Sequence, residues 1–263
     1  LNDPASTSAA TVLGARRPAA SVAAASFRIV SSMSMSVVVR HFGTEPGRED
    51  RVPCMGEMIE LGDHARGYLA VPDNGAGPGV LVIQEWWGLN PQMKGTADHL
   101  AENGFVALAP DLYRGELAGH DEMDKAGHLM STLPAERAAA DMSLAVDALR
   151  DHASTTGSTI GAIGFCMGGM LSLLVAARRG DAVGAAVPFY GYPTGDEPDW
   201  AGLRATVRGH FCEHDGMGKD VQIAFHPAGH AFMNETDPFG IHDAELAAQL
   251  WPEVIGFLHT ELS

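Results

Sequence analysis

The stretch 158–170 constrains the fold more than any other part of this sequence. Residues 159–165 form a short, apolar and β-prone run, which predicts a buried strand. The apolar residues that come next recur at helical spacing and predict a helix that ends near 178–180. A G-x-C-x-G sequence at 164–168 lies between the two. The sequence therefore predicts a tight strand-to-helix turn at this motif.

Such a turn makes its middle residue, Cys166, a candidate nucleophile. The flanking glycines are needed because side chains there would collide with neighbouring backbone. The turn lifts the thiol out of the sheet at the positive end of a helix, where its pKa falls and the thiolate becomes a nucleophile. The backbone N–H of Met167 would then face a developing oxyanion. The alternative is a buried structural cysteine in a Gly-rich turn.

Composition excludes several classes of partner. The net charge of −16 argues against nucleic acid, and no basic stretch is interleaved with aromatic residues. No apolar run approaches the length of a membrane span, so we expect no membrane partner. The cysteines Cys54, Cys166 and Cys212 are odd in number and lack a C-x-x-C pattern, which favours a reducing compartment over a disulfide framework.

Residues 1–40 differ from the rest of the chain. They are rich in Ala and Ser, and their charges are four arginines against a single acid, Asp3. This composition is typical of a mitochondrial or chloroplast transit peptide, and equally of a disordered tail. We therefore predict one folded domain over 55–263, and a cytoplasmic protein, or an organellar one if 1–40 is a transit peptide.

Apolar runs alternate with helical patterns along the predicted domain. This alternation predicts an α/β fold, with a mostly parallel sheet and helices on both faces. The predicted strands are 58–60, 67–71, 80–83, 105–109, 159–165, 183–187, 205–211 and 221–225, and the first two form a hairpin. Helices are predicted from Pro91 to Gly104, from Pro134 onward and around 246–258, with a bend near Pro252. Every candidate polar residue follows a strand, at the edge where open α/β sheets bind ligands.

Three of these polar residues follow the chain order nucleophile, acid, histidine that α/β-hydrolases share: Cys166, Asp215 and His230. In this interpretation His230 takes the thiol proton and later protonates the leaving group, and Asp215 holds the imidazole in its working tautomer. Competing candidates for the two partners remain open at this point. They are His214 and His226 for the base, and Glu213, Asp220 and Asp196 for the acid.

Glu85 stands at the end of a predicted strand, beside Trp86 and Trp87. A carboxylate there would be partly desolvated, which raises its pKa, and it would lie in reach of the resting thiol. The alternative is a surface carboxylate at the start of a loop. The N–H of Trp86 is the candidate for a second oxyanion donor.

Five motifs in order resemble the dienelactone hydrolase (carboxymethylenebutenolidase) family over roughly residues 58 to 260. They are Gln84-Glu-Trp-Trp-Gly88, Ala109-Pro-Asp-Leu-Tyr113, Gly164-Phe-Cys-Met-Gly-Gly169, Pro188-Phe-Tyr-Gly191 and Gly229-His-Ala-Phe232. The resemblance implies an α/β-hydrolase fold and a Cys166–His230–Asp215 triad. It also implies that Glu85 pairs with the resting cysteine, that the Trp86 and Met167 amides form the oxyanion hole, and that an enol-lactone or related ester is hydrolysed through an acyl-cysteine.

We expect neither a cofactor nor a metal. The sequence holds no Walker or Rossmann fingerprint and no zinc-protease histidine spacing. His210, His214 and His226 are the only weak candidates for a metal cluster. A small-molecule ester or lactone is therefore the expected partner, and a monomer the expected state.

Two positions depart from the family pattern. Family members that act on dienelactones hold the substrate carboxylate with arginines, one of them four positions after the histidine, where this chain has Asn234. The sequence thus predicts a less charged ester or lactone. The link from Asp215 to Val221 is also too short for a crossover helix. A deleted helix would threaten the position of His230 relative to Cys166; the alternative is a rearranged edge strand with a short loop. A displaced His230 would favour another function, that of a non-catalytic binding protein with an impaired triad; acyl transfer to an acceptor other than water is a further alternative.

Overall fold

The structure is a computed structural model that describes residues 56–62, 64–193, 199–212 and 222–263. The segment predicted over 1–40 lies outside these residues. The described strands are β1 (Glu57–Glu60), β2 (Arg66–Ala70), β3 (Gly77–Ile83), β4 (Val106–Pro110), β5 (Thr155–Phe165), β6 (Val183–Phe189), β7 (Thr206–Cys212) and β8 (Gln222–His226). The described helices are α1 (Pro91–Glu102), α2 (Met123–Thr132), α3 (Ala135–Asp151), α4 (Met167–Arg178) and α5 (Ala244–Leu262), with a 3-10 turn at Trp200–Gly202.

The eight described strands form one sheet in the order β1-β2-β4-β3-β5-β6-β7-β8. The β1–β2 and β2–β4 pairs are antiparallel, and every other neighbouring pair is parallel. The predicted α/β-hydrolase fold, a mostly parallel sheet with helices on both faces, is confirmed. The central position of β5 places the turn after it in the middle of the sheet edge.

Two apolar cores, one on each face, sandwich the sheet. Alternate residues of one strand enter different cores, because successive side chains of a strand point to opposite faces. Val80 and Val82 of β3 pack with α1 and α5, whereas Leu81 and Ile83 pack with α3 and α4. The buried face predicted for α3 is confirmed, as all five of its apolar positions are buried: Ala138, Met142, Ala145, Val146 and Leu149.

The ends of the elements follow local sequence signals. Asn90 caps α1 by accepting a hydrogen bond from the Met93 N–H at 3.0 Å, and Pro91 opens the helix as predicted. β5 begins at Thr155, four residues before the predicted start, because its polar first half pairs with β3 while remaining partly exposed. The apolar pattern marks only the buried half of such a strand.

Strands β7 and β8 are parallel neighbours joined by only nine residues, 213–221. Crossovers between parallel neighbours usually need a dozen residues or more. The register nonetheless pairs Cys212 with His226, so both strands end at the same edge of the sheet. The chain after β8 therefore leaves the sheet at the same edge as the turn that carries Cys166.

Candidate functional site

Cys166 occupies a strained turn between β5 and α4. Its backbone adopts φ 53° and ψ −117°, a conformation that costs energy in any residue except glycine. The flanking glycines have no space for a side chain: a Cβ at Gly164 would lie 2.0 Å from the Gly168 carbonyl oxygen, and one at Gly168 would lie 2.2 Å from that of Ile83. The G-x-C-x-G sequence thus forms the predicted turn, and Cys166 is partly exposed rather than buried.

His230 reaches the thiol from the loop that follows β8. Its Nε2 lies 3.1 Å from Cys166 Sγ, within hydrogen-bond distance. The next residue, Ala231, has a positive φ of 67°, which marks a second tight turn at the site. The short link before β8 does not displace His230 from the thiol, because the paired ends of β7 and β8 position this loop. Asp215, the predicted orienting acid, lies outside the described residues and stays a prediction.

Glu85 is buried, with 2% of its surface exposed, so the alternative of a surface carboxylate is wrong. Asn234 Nδ2 donates to its Oε2 at 2.6 Å, and the Tyr190 hydroxyl donates to its Oε1 at 3.3 Å. Burial raises the pKa of Glu85 to about 7, although both hydrogen bonds favour the charged form and lower it. At neutral pH this carboxyl group is therefore divided between its two protonation states.

The orientation of the Asn234 amide is fixed by its other neighbours. Its Oδ1 accepts hydrogen bonds from the backbone N–H of Thr236 at 3.1 Å and from the Thr236 hydroxyl. Because this oxygen faces two donors, the Nδ2 group must face Glu85. His120 Nε2 lies 3.4 Å from the same hydroxyl and extends the chain toward the surface. Asn234 is fully buried and is bonded to Glu85 rather than presented to a substrate.

Tyr190 and Thr236 are the site residues that sequence reasoning missed. Tyr190 directly follows β6 in the Pro188–Gly191 motif, and like Cys166 it has a positive φ, here 37°. Its hydroxyl bonds to a residue 105 positions earlier, a contact that no local pattern encodes. Its place at the end of a strand was the one available signal.

A cavity of about 350 Å³ opens over the thiol. It is lined by Glu85, Trp86, Trp87, Met123, Met130, Cys166, His230, Ala231 and Phe239. No Lys or Arg from the described part of the chain belongs to this lining. The cavity is within the size range of small-molecule sites, and its walls are mostly apolar.

The two predicted oxyanion donors flank this cavity. Met167 is the first residue of α4, where backbone N–H groups have no acceptor within the helix. Trp86 follows Glu85 in the loop after β3 and lines the cavity, and its ring packs edge-on against Trp87 with centroids 4.9 Å apart. Trp86 thus lies at the cavity and Met167 directly follows Cys166, which lines it, while their role as donors stays a prediction.

Two of the three histidines considered for a metal are neighbours, on β7 and β8. His210 Nδ1 lies 3.3 Å from His226 Nε2, while His214 falls outside the described residues. Burial lowers the pKa of His210 to about 3, so this ring is neutral. Within the residues that the structure describes, no three His, Cys, Asp or Glu side chains cluster as metal ligands do. No described helix is both long and apolar enough to cross a membrane.

Comparisons with known proteins agree on the family and the fold. The model of the "Dienelactone hydrolase family" matches residues 65–220. "Protein usf" of Aquifex pyrophilus is 34% identical over 235 residues, covering 80% of this chain and all of the relative. "Carboxymethylenebutenolidase 1" of Cupriavidus pinatubonensis is 26% identical, covering 65% of this chain and 82% of its own length. A solved structure titled "m3DLH" superposes with a TM-score of 0.67 at 27% identity, over 79% of this chain and 98% of that one.

Proposed function

This chain belongs to the dienelactone hydrolase family, and from that premise we propose that it hydrolyses an uncharged ester or lactone through an acyl-enzyme on Cys166. The assignment of this chain to the lactone or ester hydrolases rests on its family and on the names of its relatives. The nucleophile, the intermediate and the charge of the substrate are our proposals.

One observation carries the proposal: the 3.1 Å separation of His230 Nε2 and Cys166 Sγ at the floor of an apolar cavity. A base within hydrogen-bond distance of a thiol generates the thiolate, which is the nucleophilic form of cysteine. The first turn of α4 stabilises that thiolate further, because helix N-termini favour negative charge.

The reaction follows from these positions. His230 Nε2 accepts the thiol proton, and the thiolate sulfur attacks the carbonyl carbon of the substrate. The N–H groups of Trp86 and Met167 stabilise the oxyanion that forms. Collapse of this intermediate breaks the ester C–O bond, and His230 returns its proton to the leaving oxygen. Water, deprotonated by His230, then attacks the thioester, and the thiol is regenerated as the acid leaves. Asp215 is the residue that we expect to orient His230.

Glu85 is proposed to hold the resting thiol. A buried carboxyl group whose pKa lies near 7 exchanges a proton with little driving force in either direction at neutral pH. Glu85 and Cys166 line the same cavity, so a substrate that enters will change the surroundings of both. Tyr190 and Asn234 keep the carboxyl group in place while its protonation changes.

The cavity favours a substrate without a carboxylate. Its described lining has no Lys or Arg side chain, and Asn234, at the position of a family arginine, is committed to Glu85. Burying an unpaired carboxylate against tryptophan and methionine side chains would be costly. A neutral ester or lactone avoids this cost, which supports the substrate class predicted from the sequence.

Hydrolysis of p-nitrophenyl acetate by the wild type and by Cys166→Ala tests the proposal. We expect a burst of nitrophenol from the wild type, an acetyl group on the Cys166 peptide by mass spectrometry, and neither from the variant. Equal rates in the two proteins would refute the cysteine mechanism and favour the non-catalytic binding protein instead.

Thiol alkylation gives an independent test of the reactivity of Cys166. Cys212 is the internal reference: it is fully buried, so Cys166 should react first.

A comparison of substrates tests the charge preference separately. The wild type should have a higher kcat/KM for a neutral phenyl ester than for a dienelactone that carries a carboxylate. Turnover of the dienelactone at the same or a higher kcat/KM would contradict the proposed substrate class and leave the cysteine mechanism intact.

A further inference from the structure

A second, larger cavity adjoins the catalytic one. This trough has a volume of about 680 Å³ and lies between α3 and α4. Met130 lines both cavities, and Met167, the residue after the nucleophile, lines the trough. The full lining is Met130, Leu133, Ala135, Glu136, Ala138, Ala139, Met142, Met167, Met170, Leu171, Leu174, Val175, Ala177, Arg178, Asp199 and Gly202. The trough therefore begins at the catalytic turn.

The chemistry of the trough changes along its length. Near the thiol its walls are methionine, leucine and alanine side chains. At the far end Arg178 and Glu136 form an ion pair 3.5 Å apart, and their side chains are 51% and 88% exposed. From Met167 to Arg178 the trough follows roughly 16 Å of helix, at 1.5 Å per residue. The trough is thus long and apolar, and its far end is charged and exposed to solvent.

The entrance of the catalytic cavity is unusually apolar for a protein surface. Met123, Met130 and Phe239 are 50%, 41% and 38% exposed, and all three line the catalytic cavity. Exposed apolar patches commonly mark binding sites, and methionine adapts its shape to flexible apolar ligands. A substrate part that contacts these side chains is thus apolar itself.

We propose that the trough binds the linear hydrocarbon chain of an acyl ester, with the acyl carbon at Cys166 and the chain passing Met130 to lie along α4. This inference rests on the proposed function, because it places the scissile carbonyl at Cys166. It narrows the substrate class from neutral esters to esters of medium or long unbranched acids. Because Met130 lines both cavities, a chain that extends from a carbonyl group at Cys166 can reach the trough, which favours part of the substrate as its occupant.

The chain length of the substrate gives a direct test. Each methylene group that leaves water is worth about fourfold in binding. For the wild type we therefore expect kcat/KM to rise from p-nitrophenyl acetate through butyrate and octanoate to decanoate, measured below the solubility limit of each ester.

Leu174→Trp should fill the middle of the trough. We expect it to lower the decanoate-to-acetate ratio of kcat/KM by tenfold or more. The matched control is Leu144→Trp, an exposed leucine on α3 that does not line the trough, and it should change this ratio less than twofold. Met130→Trp blocks the entrance at a surface position, so it supplies the same test if Leu174→Trp fails to fold.

The outcomes separate the two proposals. Cys166-dependent turnover of acetate without any rise along the ester series, or a ratio that survives both tryptophan variants, would overturn the trough assignment and leave the proposed function standing. Absence of Cys166-dependent turnover for every ester would overturn both. A wild-type dimer whose dissociation by Leu174→Glu leaves the ester preference unchanged would assign the trough to a second copy of the chain instead.

Discussion

The two walls of the catalytic cavity are built in opposite ways. One wall is supported by a buried polar cluster: Glu85 lines the cavity and is 2% exposed, and Tyr190 and Asn234, which donate hydrogen bonds to it, are fully buried. The other is apolar and open, with Met123, Met130 and Phe239 each more than a third exposed. The first has one low-energy arrangement, because buried polar groups must keep their partners. The second has many, because methionine side chains repack easily.

This contrast suggests that the two walls have different functions. The polar wall fixes the protonation and position of the groups that react, so a change there alters the chemistry. The apolar wall determines which molecules enter, so a change there alters selectivity while the chemistry continues. The experiments below test this division, beginning with the largest expected effect.

His230→Gln should lower kcat/KM for p-nitrophenyl acetate by about 10³-fold or more, because the base that lies 3.1 Å from the thiol is lost. Stopped-flow assays of the burst measure the acylation step directly. His128→Gln is the control, since His128 is exposed on α2 and does not line the cavity. Loss of less than tenfold would mean that another group activates Cys166.

Glu85→Gln should change how stability depends on pH. The pKa of Glu85 is raised in the folded state, so unfolded chains ionise first as pH rises, and the folded state loses stability between about pH 4.5 and 7. The loss is about 3 kcal/mol in the wild type and disappears in the variant. Urea unfolding at pH 4.5, 6 and 8 measures the difference, and parallel curves for the two proteins would contradict the raised pKa.

His210 supplies a control of opposite sign. Its pKa is lowered, so the unfolded chain takes up the proton first as pH falls, and stability is lost between about pH 6.5 and 3. In the Glu85→Gln protein this remaining contribution should make stability rise with pH over the acid range. A fall with pH there would contradict the assignment of both groups.

Thr236→Val should have a smaller effect, about 1 kcal/mol on stability, from the lost hydrogen bond to Asn234 and the lost, exposed contact with His120. Loss of the hydroxyl also frees Asn234 to turn its carbonyl oxygen toward Glu85, which favours the protonated acid. The ionisation of Glu85 in the pH profile of kcat/KM should then move to higher pH. Thr236→Ser keeps the hydroxyl and should restore the wild-type profile; a shift in both variants would point to a packing effect.

Met123→Leu should have the smallest effect of all. The side chain is half exposed and the substitution conserves apolar character, so we expect less than a threefold change in KM for octanoate and no change in the pH profile. A change in the pH profile would break the proposed separation of the two walls. Steady-state kinetics over the same pH range as for Thr236→Val measures both quantities.

Much of this architecture could be predicted from the sequence, since buried strands of parallel sheets are continuous apolar runs bounded by Gly, Pro and Asn. Cys166, His230 and Glu85 could be identified as candidates from the sequence because each follows a predicted strand. The partners of Glu85 were not, because Tyr190 and Asn234 lie 105 and 149 positions away in sequence. Asn234 was noticed only as a departure from the family, and its bond to Glu85 depends on the fold as a whole.

The pairing of β7 with β8 has a consequence for tolerance to insertions and deletions. Because Cys212 is paired with His226, the hydrogen bonds between the two strands fix the position at which the chain leaves the sheet toward His230. Slippage by one residue would move that exit by about 3.3 Å and invert every side chain of β8. Residues can thus be removed from the connection between these strands at little cost to His230, provided that the strands keep their alignment.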